Sequence, residues 1–184
     1  IEVMVVVAVV AILAVVAAPA YRDMVDRFRV RGAADDVLSV LSNARAGAVK
    51  VGLDTQVSAT TGANWCVGAA SAAVPTGGNP AGAPAACNCA APAANPACTV
   101  AGEQLVVPVG KHEGVSMASG AGFTYDGKLG TLLTAGGAIA TAGTPIVLTS
   151  PSGKYDVRVG VTPLGQATLC TPAGKPAMAG IPAC

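Results

Sequence analysis

E-V-M-V-V-V-A-V-V-A-I-L-A-V-V-A-A-P, running from Glu2 to Pro19, decides how this chain folds. The residues from Val3 to Ala18 carry no charge, an acid precedes them, and Tyr21-Arg22-Asp23 opens a charged, helix-patterned stretch behind them. As a helix the uncharged run would rise ~24 Å, nearly enough for a hydrocarbon core of roughly 30 Å. A carboxylate at the apolar end is costly in lipid unless a positive group neutralises it. A secretory signal would need a basic flank and a shorter apolar core, and the flank here is acidic. A membrane anchor and a helix that packs against copies of itself fit the residues equally well.

Beyond Pro19 the helical pattern continues. Met24, Phe28, Val37, Leu38, Leu41, Ala44 and Ala48 recur at spacings of three and four, which predicts an apolar face. Asp23, Asp26, Arg27, Asp35, Asp36 and Arg45 then fall mainly on the other faces, with Asp23 and Arg27 paired one turn apart. Gly52 is the expected stop. Pro19 removes one backbone hydrogen bond and predicts a kink rather than an end.

The opening residues resemble the amino-terminal segment of type IV pilins and of type II secretion pseudopilins. The match covers about the first fifty residues: an acid at Glu2, a long Val/Ala/Ile/Leu run, Pro19, then Arg22-Asp23. The resemblance implies that Glu2 occupies the family's conserved-acid place and Pro19 its helix-kinking place, both serving assembly. It also implies that the numbering starts about three residues inside the mature end. Ala11 stands where many members have glycine. Leu41–Lys50, Asn64–Gly68 and Val157–Cys170 are further similar to the GspH/FimT-type pseudopilins and minor pilins. Some of those close with a Gly-Arg-x-Arg element that binds DNA; the matching residues here, Gly165-Gln166-Ala167-Thr168, have no arginine.

The fold expected is α+β: a long N-terminal helix, kinked near Pro19, packed on an antiparallel β-sheet or two-sheet domain and stapled by disulfides. Residues 1–52 form the assembly helix, and residues 53–184 a β-rich domain large enough to bury its own core. Strands are predicted at Leu105–Val109, Val115–Ala118, Gly122–Tyr125, Pro145–Thr149, Tyr155–Val161 and Ala167–Cys170, with hairpin turns at Asp126-Gly127 and Ser152-Gly153. Tyr155, Val157 and Val159 alternate with Asp156, Arg158 and Gly160, the pattern of a strand with one wet face. No charged side chain lies between Asp54 and Glu103, and Ser71–Pro96 is mostly Ala, Gly, Pro and Asn, so a long neutral loop is expected at about 71–102.

Six cysteines in an exported chain imply three disulfides among Cys66, Cys87, Cys89, Cys98, Cys170 and Cys184. Spacing does not choose the pairing. The pilin resemblance implies Cys170–Cys184, closing the carboxy-terminal tail. Cys87-Asn88-Cys89 could instead ligate a metal, but one histidine and no second paired-cysteine motif leave the donor set short, so neither metal nor cofactor is expected.

Little supports catalysis. His112 is the lone imidazole, and Lys111 and Glu113 beside it predict a solvated turn. Trp65 is expected in the core against a disulfide, and Asp54 in a turn. A net charge of +1 gives no long-range field to draw polyanions, so nucleic acid is not an expected partner. Arg22, Arg27, Arg29, Arg31, Arg45 and Lys50 sit on the helix, on solvated or inter-subunit faces.

The resemblance implies a non-enzymatic structural subunit of an extracellular filament on a bacterial surface. Its partners would be copies of itself, the inner membrane before assembly, and the pilus assembly machinery. The alternative is a minor pilin or pseudopilin at a filament tip, serving DNA uptake or secretion.

Overall fold

The computed structural model describes residues 2–72, 84, 86–92, 94, 97–134 and 137–184, without the side chains of Ala8, Val16 and Pro19. The chain is α+β. Helix α1 (Glu2–Val51) is followed by β1 (Thr55–Thr60), β2 (Cys66–Ser71), β3 (Thr99–Val100), β4 (Glu103–Gln104) and β5 (Val106–Val107). Then come β6 (Ser116–Ser119), β7 (Phe123–Tyr125), β8 (Leu132–Leu133), β9 (Ile146–Thr149), β10 (Asp156–Val161) and β11 (Ala167–Cys170). They form antiparallel sheets ordered β5-β2-β1-β7-β8 and β11-β10-β9-β6, plus the small ribbon β3-β4.

The helix stops where the sequence predicts. Gly52 takes a left-handed φ of 69°, and the Leu53 amide folds back on the Ala48 carbonyl at 3.2 Å. Upstream, the backbone is helical through position 19.

One core serves helix and sheets together. Val30, Ala33, Ala34, Val37, Leu41, Ala44 and Ala48 form its helical stripe, meeting Val57, Trp65, Val67, Tyr125, Leu148, Tyr155, Val157 and Val159. Alanine at four of these seven positions lets the sheets approach the helix closely, and the larger strand residues fill the space. Leu41, fully buried, contributes about 1.5–3 kcal/mol by this burial.

That stripe differs from the face predicted by spacing. Val37, Leu41, Ala44 and Ala48 belong to it, while Met24 and Phe28 are 55% and 61% exposed. Continued downwards at the same spacing, the stripe passes through Asp26 and Asp23. These two acids face the β domain because its rim there presents donors: Lys154, the Tyr155 hydroxyl and the Ser152 amide.

The predicted strands fall at or near their expected places, β11 with the same bounds, β6 shifted by one residue and the others shortened. Leu105–Val109 shrinks to β5, whose Val106 and Val107 pair with Gly68 and Val67 before Pro108, which has no amide to donate. Leu132-Leu133 adds a strand beside β7 that its two-residue length hides in sequence. Residues 126–131 and 150–155 connect antiparallel neighbours, as the two turn motifs suggest. Tyr155, just before β10, and Val157 and Val159 on it are buried while Arg158 is exposed. Much of the expected neutral loop, residues 73–83, 85, 93 and 95–96, lies outside the described residues.

All six cysteines pair, as Cys66–Cys89, Cys87–Cys98 and Cys170–Cys184. The tail closure implied by the resemblance is therefore present. Both thiols of the Cys-Asn-Cys element are consumed, which removes them as metal ligands.

A glycine after β7 lets the sheet close on the helix end. A Cβ on Gly127 would stand 2.5 Å from Leu53 backbone atoms and 2.7 Å from the Gly52 carbonyl carbon. The Gly127 amide donates to Asp54 at 2.9 Å, so Asp54 does serve the helix-to-β1 turn. Backbone cannot move aside as a flexible side chain would. Gly127→Ala is expected to destabilise the protein by about 1–3 kcal/mol, read as a lowered urea midpoint at unchanged slope.

Candidate functional site

From Val30 onwards α1 packs one face against the sheets; its first five turns project beyond them. Val3 is 76% exposed, Met4 80%, Ile12 65% and Leu13 63%, and Val5, Val6, Val7, Val9, Val10 and Val15 are likewise exposed. Glu2, at the outer end, is exposed too. Large apolar side chains contiguous over such a length are rare on a protein that stays alone in water. Among the described residues, no single helix is long and apolar enough to cross a membrane.

Where the arm leaves the domain, a collar of polar contacts fixes its direction. The Asp23 carboxylate accepts from Lys154 Nζ at 2.6 Å, from the Tyr155 hydroxyl at 2.7 Å and from Arg27 at 2.7 Å. The Arg27 guanidinium also lies 4.8 Å from the centre of the Tyr155 ring. Asp26 accepts from the Ser152 amide at 3.2 Å. Three turns on, one oxygen of Asp36 takes both Lys111 Nζ at 2.8 Å and His112 Nε2 at 2.7 Å. At the far end, Arg45 Nε donates to the Gly130 carbonyl at 2.9 Å.

His112 is thus no solvated turn residue. Its side chain is 16% exposed and stacks on Trp65 with ring centres 5.9 Å apart. Trp65 lies in the main core and donates its indole N–H to the Val115 carbonyl at 2.8 Å. The sequence neighbours Lys111 and Glu113 mislead here because the imidazole reaches Asp36, distant in sequence.

Gly165, where the DNA-binding element of the resembled family would start, holds a left-handed φ of 77°, and a Cβ there would strike the Gly130 carbonyl oxygen. That turn is occupied with packing against the Arg45–Gly130 contact.

Both clamp carboxyls are acidified. The Lys154 ammonium above all, with the Tyr155 hydroxyl and Arg27, holds Asp23 well below its ordinary 3.8. For Asp36, burial pulls upward, but Lys111 and His112 more than offset it and leave its pKa lowered. A carboxyl depressed on folding stabilises the fold above its unfolded value and stops doing so as pH falls through its folded value. The clamp should therefore hold from neutrality down to about pH 3.8 and weaken below it. Asp36→Asn should make that acid limb shallower, as measured by urea midpoints across a pH series.

The sequence singles out Glu2, Pro19 and the cysteines. Glu2 tips the exposed arm, the cysteines pair within the β domain, and the Pro19 side chain lies outside the described residues. Asp36 and His112, which tie α1 to the β domain, carry no local signal, and the signals at Asp23 and Tyr155, the pairing with Arg27 and the strand alternation, do not announce their mutual contact. No protein-family model, curated protein or solved structure matches this chain.

Proposed function

We propose that the chain is a structural, non-catalytic subunit of an extracellular, type IV pilus-like filament on a bacterial surface. The carrying observation is the arm. The described side chains between Val3 and Val15 are apolar and exposed, on a helix that buries one face in its own domain from Val30 onwards. Packing such arms side by side would hide their apolar surface at roughly 25 cal/mol per Å². The β domains would form the outer shell, and a bend at Pro19 would let the arm tilt into the fibre axis. Glu2 would meet a positive group of a neighbouring copy, the amino-terminal ammonium by the resemblance, because an unpaired charge in a dry core is costly. Before assembly the arm would sit in the inner membrane. Three disulfides fit a compartment outside the cytoplasm.

Electron microscopy of filaments sheared from cells, with mass spectrometry of the main band, tests the reading. The expected result is a fibre composed mainly of this chain. Trace amounts in such fibres would favour a tip subunit, and solitary molecules confined to the membrane fraction would overturn the proposal.

A further inference from the structure

Between α1 and the tail closed by Cys170–Cys184 runs a groove of about 220 Å³, lined by Met24, Phe28, Met178 and Ala179 and rimmed by Arg27 and Arg31. Met178 and the nearby Ile181 are buried, so the tail forms a firm wall, while Met24 and Phe28 remain more than half exposed. The two cations differ. Arg27 is engaged by Asp23 at 2.7 Å and lies over Tyr155. Arg31 uses Nη1 on the Ala179 carbonyl at 2.9 Å, and its nearest carboxylate, Asp35, stands off at 3.9 Å, beyond a hydrogen bond. A guanidinium has five N–H groups, so Arg31 keeps donors free for a carboxylate.

The chain carries a fitting occupant, with valine-rich turns and a single charge, Glu2, at its outer end. It cannot fill its own groove, because residue 2 lies ~39 Å from residue 28 along one continuous helix. We propose that the groove receives the first turns of the arm of a second copy, with that copy's Glu2 on Arg31. This rests on the filament reading and gives Glu2 a partner among the described residues, besides the ammonium implied by the resemblance. Arm and groove are different surfaces, and each copy has one of both. Such a head-to-tail contact propagates into an open helix when its rotation does not close. The lone acid sets the register: sliding the arm by a turn would move Glu2 off Arg31 toward Arg27, whose guanidinium is already engaged by Asp23 and the Tyr155 ring.

Photo-crosslinking tests the contact. The full chain carrying benzoylphenylalanine at Phe28 is assembled on cells, sheared off as filaments, irradiated and digested with trypsin. The expected adduct is to a second copy's peptide ending at Arg22, and Arg31→Gln, which keeps a donor for Ala179, should lose most of the filament yield. Probe-bearing filaments with adducts elsewhere or none, or Arg31→Gln filaments at full yield, would overturn the contact and leave the filament reading intact. If the probe at Phe28 blocks assembly, the same probe at Met24 decides by the same adduct. Wild-type cells without filaments would remove the filament reading, and this contact with it.

Discussion

Glu2→Ala is expected to abolish filaments while leaving the subunit folded and held in the membrane. The substitution makes the arm more apolar, so retention in lipid should rise. The folded domain should be indifferent, since Glu2 lies ~42 Å along the helix from Val30, where the shared core begins. On the filament reading proposed above, what disappears is the arm's one charge, the group that would tell it where to stop. Without it, arms can associate in several registers of similar energy, and an ordered fibre needs one. Glu2→Gln separates charge from hydrogen bonding: it keeps an acceptor but gives no ion pair, and assembly should fail nearly as completely. Counting filaments in sheared fractions against total subunit by immunoblot checks both. Normal filament numbers from Glu2→Ala cells would contradict any pairing role.

Removing Cys66–Cys89 by paired alanine substitution should have the largest effect on the folded domain. The bridge closes a separation of 23 residues, for which loop-closure entropy gives about 3 kcal/mol. For a chain of this length that corresponds to a fall in Tm of roughly 6–12 °C. The site adds to the loss. Cys66, Cys87, Cys89 and Cys98 form a buried cluster with Ala70, covering a stretch of chain otherwise poor in large apolar groups. A Cβ on Gly68 would lie 2.8 Å from the Cys98 sulfur and 3.0 Å from that of Cys87, so strand β2 is kept bare for the bridges to lie on it. Calorimetry reads the Tm. Limited proteolysis should show new cuts between residues 73 and 98, with α1 still protected from Val30 onwards. An unchanged cleavage pattern would mean the bridges do not hold this region.

Much of the architecture was legible because it follows from short-range physics. Gly52 stops the helix through backbone freedom alone, and the alternation along β10 reports which face is wet whatever lies opposite. The helix face was legible only where apolar residues kept one spacing. Below Val30 the stripe changes chemistry, from Val and Ala to Asp26 and Asp23, while Met24 and Phe28 continue an apolar pattern on a neighbouring face. Periodicity follows the apolar residues and so turns off the packed stripe. His112 was misread for a related reason: its partner Asp36 is remote in sequence, and nothing near the imidazole announces it. The ribbon β3-β4 turns through Ala101 at a φ of 54° and Gly102 at 84°; alanine at the first of these places, where asparagine, aspartate or glycine is usual, weakens the turn signal. Within the site, the acid and the apolar arm were visible at once, whereas the polar collar needed the three-dimensional fold.

The shared core has a mechanical consequence. Between Val30 and Ala48 the helix is gripped over ~27 Å of its length, with sheets packed along it. Tension applied through the exposed arm would load those contacts in shear, many at once, rather than peel them apart in sequence. The hydrogen-bonded turns of α1 would carry the pull directly into the domain, with no loop interposed to stretch first.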